Sequence, residues 1–347
     1  MSDKGKKFIQ LFIFLSLGVF FIWISIKDLD SEQKATIINN IKGVAFDNRW
    51  IFLIFSAAIG FISVIFRAFR SIQLLEPLGY NVSKINSYHS VMICYIANIA
   101  FPRLGEVLRC TFIQRYEKVP FQKTFGTVVT ERIIDMLSFG LVFLFALLVE
   151  SEKILSIFQH KTQSSETASF LNNPMIIVAL SILLLIIVFL ILRKHIVEWR
   201  IYHKIKQIIL GFWSGLLSVV KLRKPLLFVF YTFMIWVCYF FMFYVAIFAF
   251  PELIATGNQL WMASLSCVVI GTIGFIISQG GLGAYPLLIS SVLLLYGISK
   301  ELGLAVGWVV WTTETLLYVV GGIISLIIAP FTNPKKNRNE PLGTNQA

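Results

Sequence analysis

Apolar residues in this chain gather into runs of about twenty, separated by short stretches that hold most of the charge. Residues 8–26, 50–66 and 175–192 form such runs, and 127–149 forms another that carries Glu131, Arg132 and Asp135 near its start. About 20 helical residues cover a hydrocarbon core of about 30 Å, so each run predicts one membrane crossing. The first run lacks a small-residue cleavage site before Lys27, which reads as an anchor rather than a removed leader. Between residues 225 and 334 the pattern is denser still. Glu252, Lys300, Glu301 and Glu314 are its only Asp, Glu, Lys or Arg residues, and crossings are expected at about 226–250, 259–277, 279–298 and 302–329.

Composition agrees with this pattern. The 347 residues are 57% hydrophobic and 14% charged, against roughly 25% charged in a soluble domain. Mean hydropathy is +0.80, which leaves too little polar surface to cover a water-facing globule. Disorder, collagen and a disulfide-stapled secreted scaffold are excluded by the same balance. The fold class is all-α: a polytopic helical membrane bundle with about eight crossings and one or two re-entrant or broken helices. Residues 1–331 form a single transmembrane domain, and 332–347 form a solvated tail.

The net charge of +12 would suggest nucleic acid in a soluble chain. Here the excess lies in loops, where it marks the cytoplasmic side and attracts anionic lipid, so nucleic acid is not an expected partner. Segment 193–224 has eight Lys or Arg and one acid, and 102–125 has five Lys or Arg. Segment 150–173 has two Lys against three acids, and 251–258 has no basic residue. The N-terminus, 67–84, 102–125 and 193–224 are therefore placed in the cytoplasm, and 27–49, 150–173 and 251–258 outside. Segment 193–224 also repeats Ile201, Ile205, Ile208, Phe212 and Leu216 at helical spacing. It reads as an interfacial helix or an ordinary cytoplasmic one.

This orientation leaves 85–101 without a place to go, because both of its flanks belong inside. The run must dip in and return, or break into two short helices over 85–123. Pro102 and Gly105 allow the break. The glycine-rich Gln279, Gly280, Gly281, Leu282, Gly283 is a second break, and its Leu-Gly pair echoes Leu104-Gly105. Paired broken helices in two halves of a transporter mark binding sites; close packing of helices through small residues is the plainer alternative.

Polar residues are densest from 98 to 135: Asn98, Arg103, Gly105, Glu106, Arg109, Arg115, Glu117, Glu131, Arg132 and Asp135. Glu106 with Arg109, and Arg132 with Asp135, stand three apart and could pair on one helix face. Ionisable groups at membrane depth face a partner or a wet cavity, and a guanidinium fork fits phosphate oxygens. One reading is a polar cavity. The other is interfacial, with Arg109, Arg115 and Arg132 reaching cytoplasmic water and the acids paired locally. Tyr285 follows the second break, and Glu314 stands alone among Trp308, Trp311 and Leu316. His89, His160, His195 and His203 show no metal spacing, and the four cysteines no C-x-x-C pair. Neither a nucleotide loop nor a nucleophile–base pair is visible, so no cofactor, metal or catalytic activity is expected.

The motifs Pro102-Arg-Leu-Gly-Glu106-x-x-Arg109, Arg115, Glu117, Thr127-Val-Val-x-Glu131-Arg132-x-x-Asp135 and Gly280-Gly-Leu-Gly283 resemble the lysylphosphatidylglycerol synthase transmembrane region family, also called flippase-like domain proteins. The resemblance covers about residues 8–330. It implies an inner-membrane helical domain that, in aminoacyl-phospholipid synthases, moves the modified lipid from the inner to the outer leaflet. In those enzymes a soluble acyltransferase-like domain performs the synthesis. Nothing after residue 335 fits that domain, so synthase activity is not expected here. Two departures bear on the substrate: the family usually has Pro where Gln279 stands, and an acid soon after the glycines, where this chain has Ala284-Tyr285-Pro286.

The expectation is a multi-pass plasma (inner) membrane protein, N-terminus cytoplasmic, that moves a phospholipid or glycolipid headgroup between leaflets. Substrate binding is assigned to Asn98, Arg103, Gly105, Glu106, Arg109, Glu131, Arg132, Asp135, Gln279, Gly280, Gly281, Gly283, Tyr285 and Glu314. The expected partners are membrane lipids (anionic phospholipid or glycolipid), with a separate lipid-modifying enzyme and a second copy of the chain as candidates. The alternative is an accessory subunit of an envelope-lipid or glycosyl-transfer system, with no transport of its own.

Overall fold

The computed structural model describes residues 29–101, 103–159, 217–254 and 257–333, with positions 20, 22–24 and 27. The expected crossings at 8–26 and 175–192, the segment 193–224 up to residue 216, and the tail from 334 lie outside the described residues, apart from those few positions near 20. Nine helices of more than ten residues are described: α1 (Ser31–Phe46), α2 (Trp50–Leu75), α3 (Lys84–Ala100), α4 (Leu104–Glu117), α5 (Phe121–Gln159), α6 (Pro225–Ile247), α7 (Leu260–Ile277), α8 (Ala284–Leu294) and α9 (Lys300–Thr332). Five of them are long and apolar enough to cross a membrane: α2, α5 as far as Glu150, α6, α7 and α9.

Local chemistry sets several of the ends. Asp30 caps α1 through a capping box: its side chain accepts from the Gln33 backbone amide at 2.8 Å, and the Gln33 side-chain oxygen accepts from the Asp30 backbone amide at 3.1 Å. Pro225 opens α6, where its missing N–H costs nothing. The Ser299 hydroxyl caps α9. The long α5 is interrupted at Glu150, whose backbone leaves the helical region.

Two pairs of helices are antiparallel hairpins. In the first, α3 and α4 join through Phe101–Arg103, with Arg103 in the left-handed region at φ 60°. The arms close because Gly105 has no side chain: a Cβ there would strike the Cys94 carbonyl oxygen and the Asn98 amide. Of the two arrangements expected for 85–123, the structure has the break into two short helices. In the second hairpin, α7 and α8 join through 278–283, where Gly280, Gly281 and Gly283 all have φ between 59° and 76°. Such backbone is cheap only for glycine. The expected crossing at 279–298 is corrected here. It is an 11-residue helix, about 16 Å long, half of what a crossing needs.

α9 is the wall both hairpins share, and they lie along it in opposite directions. At its N-terminal end Gly303 and Gly307 let α8 approach until the ideal Cβ positions fall 2.8 Å from Ser290 Cα and 2.6 Å from Pro286 Cα. At its far end Asn333 and Asn86 exchange amide hydrogen bonds at 2.7 and 2.8 Å. The two tips meet between these ends, beside Trp311 and Tyr318. With 33 residues, α9 is about 50 Å long, so the tips meet near its middle.

The apolar core follows from this arrangement. Phe243, Ile247, Ile270, Ile289, Leu293 and Val306 pack where α6, α7, α8 and α9 converge. Outward positions remain greasy, for example Met136, Leu141, Leu148, Leu226 and Ile327, as in a bundle solvated by lipid.

A further correction concerns α2. The expected crossing stopped at Phe66, with a cytoplasmic loop from 67. The helix instead runs to Leu75 and carries Arg67 and Arg70 into the bundle, both buried.

Candidate functional site: a polar cavity where the hairpin tips meet

Four guanidiniums and their acids converge from α2, α4 and α5. Asp135 on α5 receives two arginines of α2, Arg67 Nη1 at 2.6 Å and Arg70 Nη2 at 2.6 Å. Arg67 also donates to the Tyr239 hydroxyl of α6 at 3.0 Å. Arg109 on α4 grips Glu131 of α5 with both terminal nitrogens, each at 2.9 Å, and donates to the Ser71 hydroxyl of α2 at 2.7 Å. Arg132 donates to Glu106 at 2.6 Å. Bidentate guanidinium–carboxylate pairs of this kind are the strong ones.

The pairing is between helices, not along them. The local pairs Glu106–Arg109 and Arg132–Asp135 do not form, because each side chain finds its partner on a neighbouring helix. Nor does Arg109 reach cytoplasmic water: it is 4% exposed, and Glu131 is 1% exposed. Arg115 is exposed, and Arg132 keeps 46% of its side-chain surface open, so the interfacial reading describes these two better than Arg109.

The first hairpin's tip is organised by Asn98. Its Oδ1 accepts from the Gly105 amide at 2.8 Å, and its Nδ2 donates to Glu106 at 3.3 Å. The second tip reaches it through Gln279, whose Nε2 donates to the carbonyls of Ile99 at 3.0 Å and Asn98 at 3.4 Å. Trp311 on α9 holds the Gly280 carbonyl at 2.7 Å. Carbonyls freed at each tip, those of Asn98, Ile99 and Gly280, thus find donors inside the protein.

A cavity of about 350 Å³ opens beside this junction. Arg67 and Arg132 stand in its wall with Asn98, Gly280 and Glu314. Aromatic rings make up much of the remainder: Tyr95, Tyr239, Phe275, Tyr285 and Tyr318. Tyr95 and Tyr318 stack at 4.2 Å, and the Tyr318 hydroxyl donates to Glu314 at 3.1 Å.

Of the residues singled out in the sequence, Asn98, Arg132, Gly280, Tyr285 and Glu314 line the cavity. Glu106 touches it through Arg132, and Gln279 lies at the junction. Gly105, Gly281 and Gly283 shape the two turns. Arg109 and Glu131 form a closed pair away from the lining, and Asp135 sits behind Arg67. Arg103 is exposed on the turn. Arg67, Arg70, Tyr95, Tyr239 and Tyr318 were not singled out. The apolar stretch around Arg67 and Arg70 was the available signal: Ile65–Phe66 before them and Leu74–Leu75 after them are still helical membrane sequence.

Fold and cavity define a class: a multi-pass helical membrane protein with a polar chamber between two oppositely directed hairpins. The family is lysylphosphatidylglycerol synthase TM region, whose model matches residues 8–322; the chain belongs to it, as its motifs suggested. No curated protein and no solved structure matches the chain. Membership places the protein among membrane proteins related to lipid handling.

Proposed function

We propose that the protein moves the phosphate-bearing headgroup of a membrane lipid between leaflets through the cavity at the hairpin tips, acting as a flippase-like transporter and not as an enzyme. The observation that carries this reading is the placement of Arg67 and Arg132 in one cavity of about 350 Å³ at the middle of α9. Guanidiniums at that depth are costly and mark a polar path, and their forks match phosphate oxygens. Arg132, partly open, receives the headgroup; Arg67, deeper and fixed by Asp135 and Tyr239, holds it. Acyl chains stay in the bilayer along the greasy outer surface. The phosphate ligands are therefore Arg67 and Arg132, in place of the Arg103 and Arg109 favoured by the sequence, since Arg109 is consumed by Glu131 and Ser71. The setting is the plasma (inner) membrane with the N-terminus cytoplasmic, supported by the basic 102–125 and 193–224 segments.

The test uses purified protein in liposomes holding tail-labelled phospholipids and an external reductant that bleaches outer-leaflet label. The protein raises the bleached fraction above the outer-leaflet half. An Arg67→Gln, Arg132→Gln double variant returns it to the protein-free level while keeping its fold, because Asp135 retains Arg70. A folded wild-type protein that moves no lipid and copurifies with a lipid-modifying enzyme would establish the accessory role instead.

A further inference from the structure

Among the described residues, one carboxylate in the cavity has no cation beside it. Glu314 accepts from Tyr318, and among the described residues no Lys, Arg or His nitrogen lies within ion-pair distance of it. The acids nearest the cavity wall, Glu106, Glu131 and Asp135, each meet an arginine. A lone carboxylate at the middle of a membrane helix calls for a positive group.

The surroundings say which kind. Glu314 shares its chamber with the rings of Tyr95, Tyr239, Phe275, Tyr285 and Tyr318. Aromatic faces attract an ammonium through the ring quadrupole. The hydroxyls of the tyrosines add acceptors suited to a group with several N–H donors. Arg67 and Arg132 occupy the same chamber, so it offers an anion subsite and a cation subsite to one ligand.

The charge balance narrows the ligand further. In and behind the cavity wall, Arg67, Arg70, Arg109 and Arg132 pair with Glu106, Glu131 and Asp135, and Glu314 adds a fourth carboxylate. With Glu314 ionised, four positive groups balance four negative ones. A net-charged headgroup would leave an excess charge in a low-dielectric site, where its cost is highest; a zwitterion leaves none. We infer that the cavity selects a net-neutral headgroup, a phosphodiester joined to a single primary ammonium, with the phosphate on Arg67 and Arg132 and the ammonium on Glu314 within the tyrosine wall. This deepens the transport reading and rests on it.

Two readouts separate the inference from that reading. Lipid retained on the purified protein is measured by native mass spectrometry after equilibration with equal phosphatidylethanolamine, phosphatidylcholine and phosphatidylglycerol. Transport of the three tail-labelled lipids is measured in liposomes. Wild type retains and moves the ethanolamine lipid about tenfold better than the glycerol lipid, the size of one charged hydrogen-bonded contact. Glu314→Gln removes the balancing charge, loses that preference and favours the anionic glycerol lipid. Tyr318→Phe keeps the ring and lowers the preference by a smaller factor.

Equal retention of the ethanolamine and glycerol lipids, or a ranking unmoved by Glu314→Gln, overturns the cation subsite while leaving transport intact. A choline lipid retained as well as the ethanolamine lipid overturns the primary-ammonium assignment. Retention of the ethanolamine lipid that depends on Glu314, with no transport of any lipid, overturns the transport reading and leaves the subsite standing.

Discussion

The two hairpins have the same outline and opposite fillings. The α3–α4 hairpin carries Lys84, Arg103, Glu106, Arg109, Arg115 and Glu117, whereas α7–α8 has no Asp, Glu, Lys or Arg at all. The polar hairpin is held by partners outside itself: Arg109 needs Glu131 and Ser71, and Glu106 needs Arg132. The apolar one is held by shape, through Gly271 and Gly274 against Tyr285 and through Gly303 and Gly307 against α8. At the junction the division becomes useful. One tip supplies charge, the other supplies freed backbone and a single amide, Gln279, that ties them together.

The sharpest way to break this comparison is to make the same kind of substitution in both tips. Gly105→Val places side-chain atoms against the Cys94 carbonyl and Asn98, so the first hairpin cannot close. A loss of about 4 kcal/mol or more is expected, read as aggregated protein on size-exclusion chromatography in detergent. Next in size is Glu131→Gln, which leaves the Arg109 charge buried and unpaired. It should destabilise by about 3–5 kcal/mol, read as a lowered thermal midpoint. Replacing both Arg109 and Glu131 with apolar residues of similar volume should recover most of that.

The glycine of the second tip is more forgiving. An alanine Cβ at Gly280 meets nothing within 4 Å, so only the left-handed backbone at φ 59° opposes it. Gly280→Ala should cost about 1–2 kcal/mol. Smallest is Gln279→Leu, which removes the amide tie between tips and should cost about 1 kcal/mol, with the polar and apolar hairpins otherwise intact. Thermal midpoints that fall by equal amounts for the matched pair Gly105→Ala and Gly280→Ala would erase the distinction drawn between the tips.

Much of the fold was legible because a crossing helix must be apolar for about twenty residues, and α6, α7 and α9 each announce themselves that way. The first break was legible from orientation alone, since the basic segments flanking 85–101 belong on one side. The second tip was half legible. Its glycines predict a turn, but a turn followed by eleven apolar residues and a further apolar stretch cannot be told from a crossing by hydropathy. The site was less legible than the fold. Spacing along one helix suggests the partners Glu106–Arg109 and Arg132–Asp135, whereas packing decides among residues of different helices, and Asp135 takes Arg67 and Arg70 from α2. Those two arginines were hidden by their position at the end of an apolar run, where a charge reads as the start of a loop. Glu314 stood out by its isolation, and in the fold it meets Tyr318 but, among the described residues, no cation.

The most direct test of a headgroup chamber between the tips is photochemical. A phospholipid bearing a diazirine on its headgroup, incorporated with the protein in liposomes and illuminated, should leave adducts on Tyr95, Tyr285 or Tyr318, and excess unlabelled phospholipid should suppress them. Adducts confined to the outer greasy surface, at positions such as Met136 and Leu141, with the chamber tyrosines unlabelled, would contradict the account.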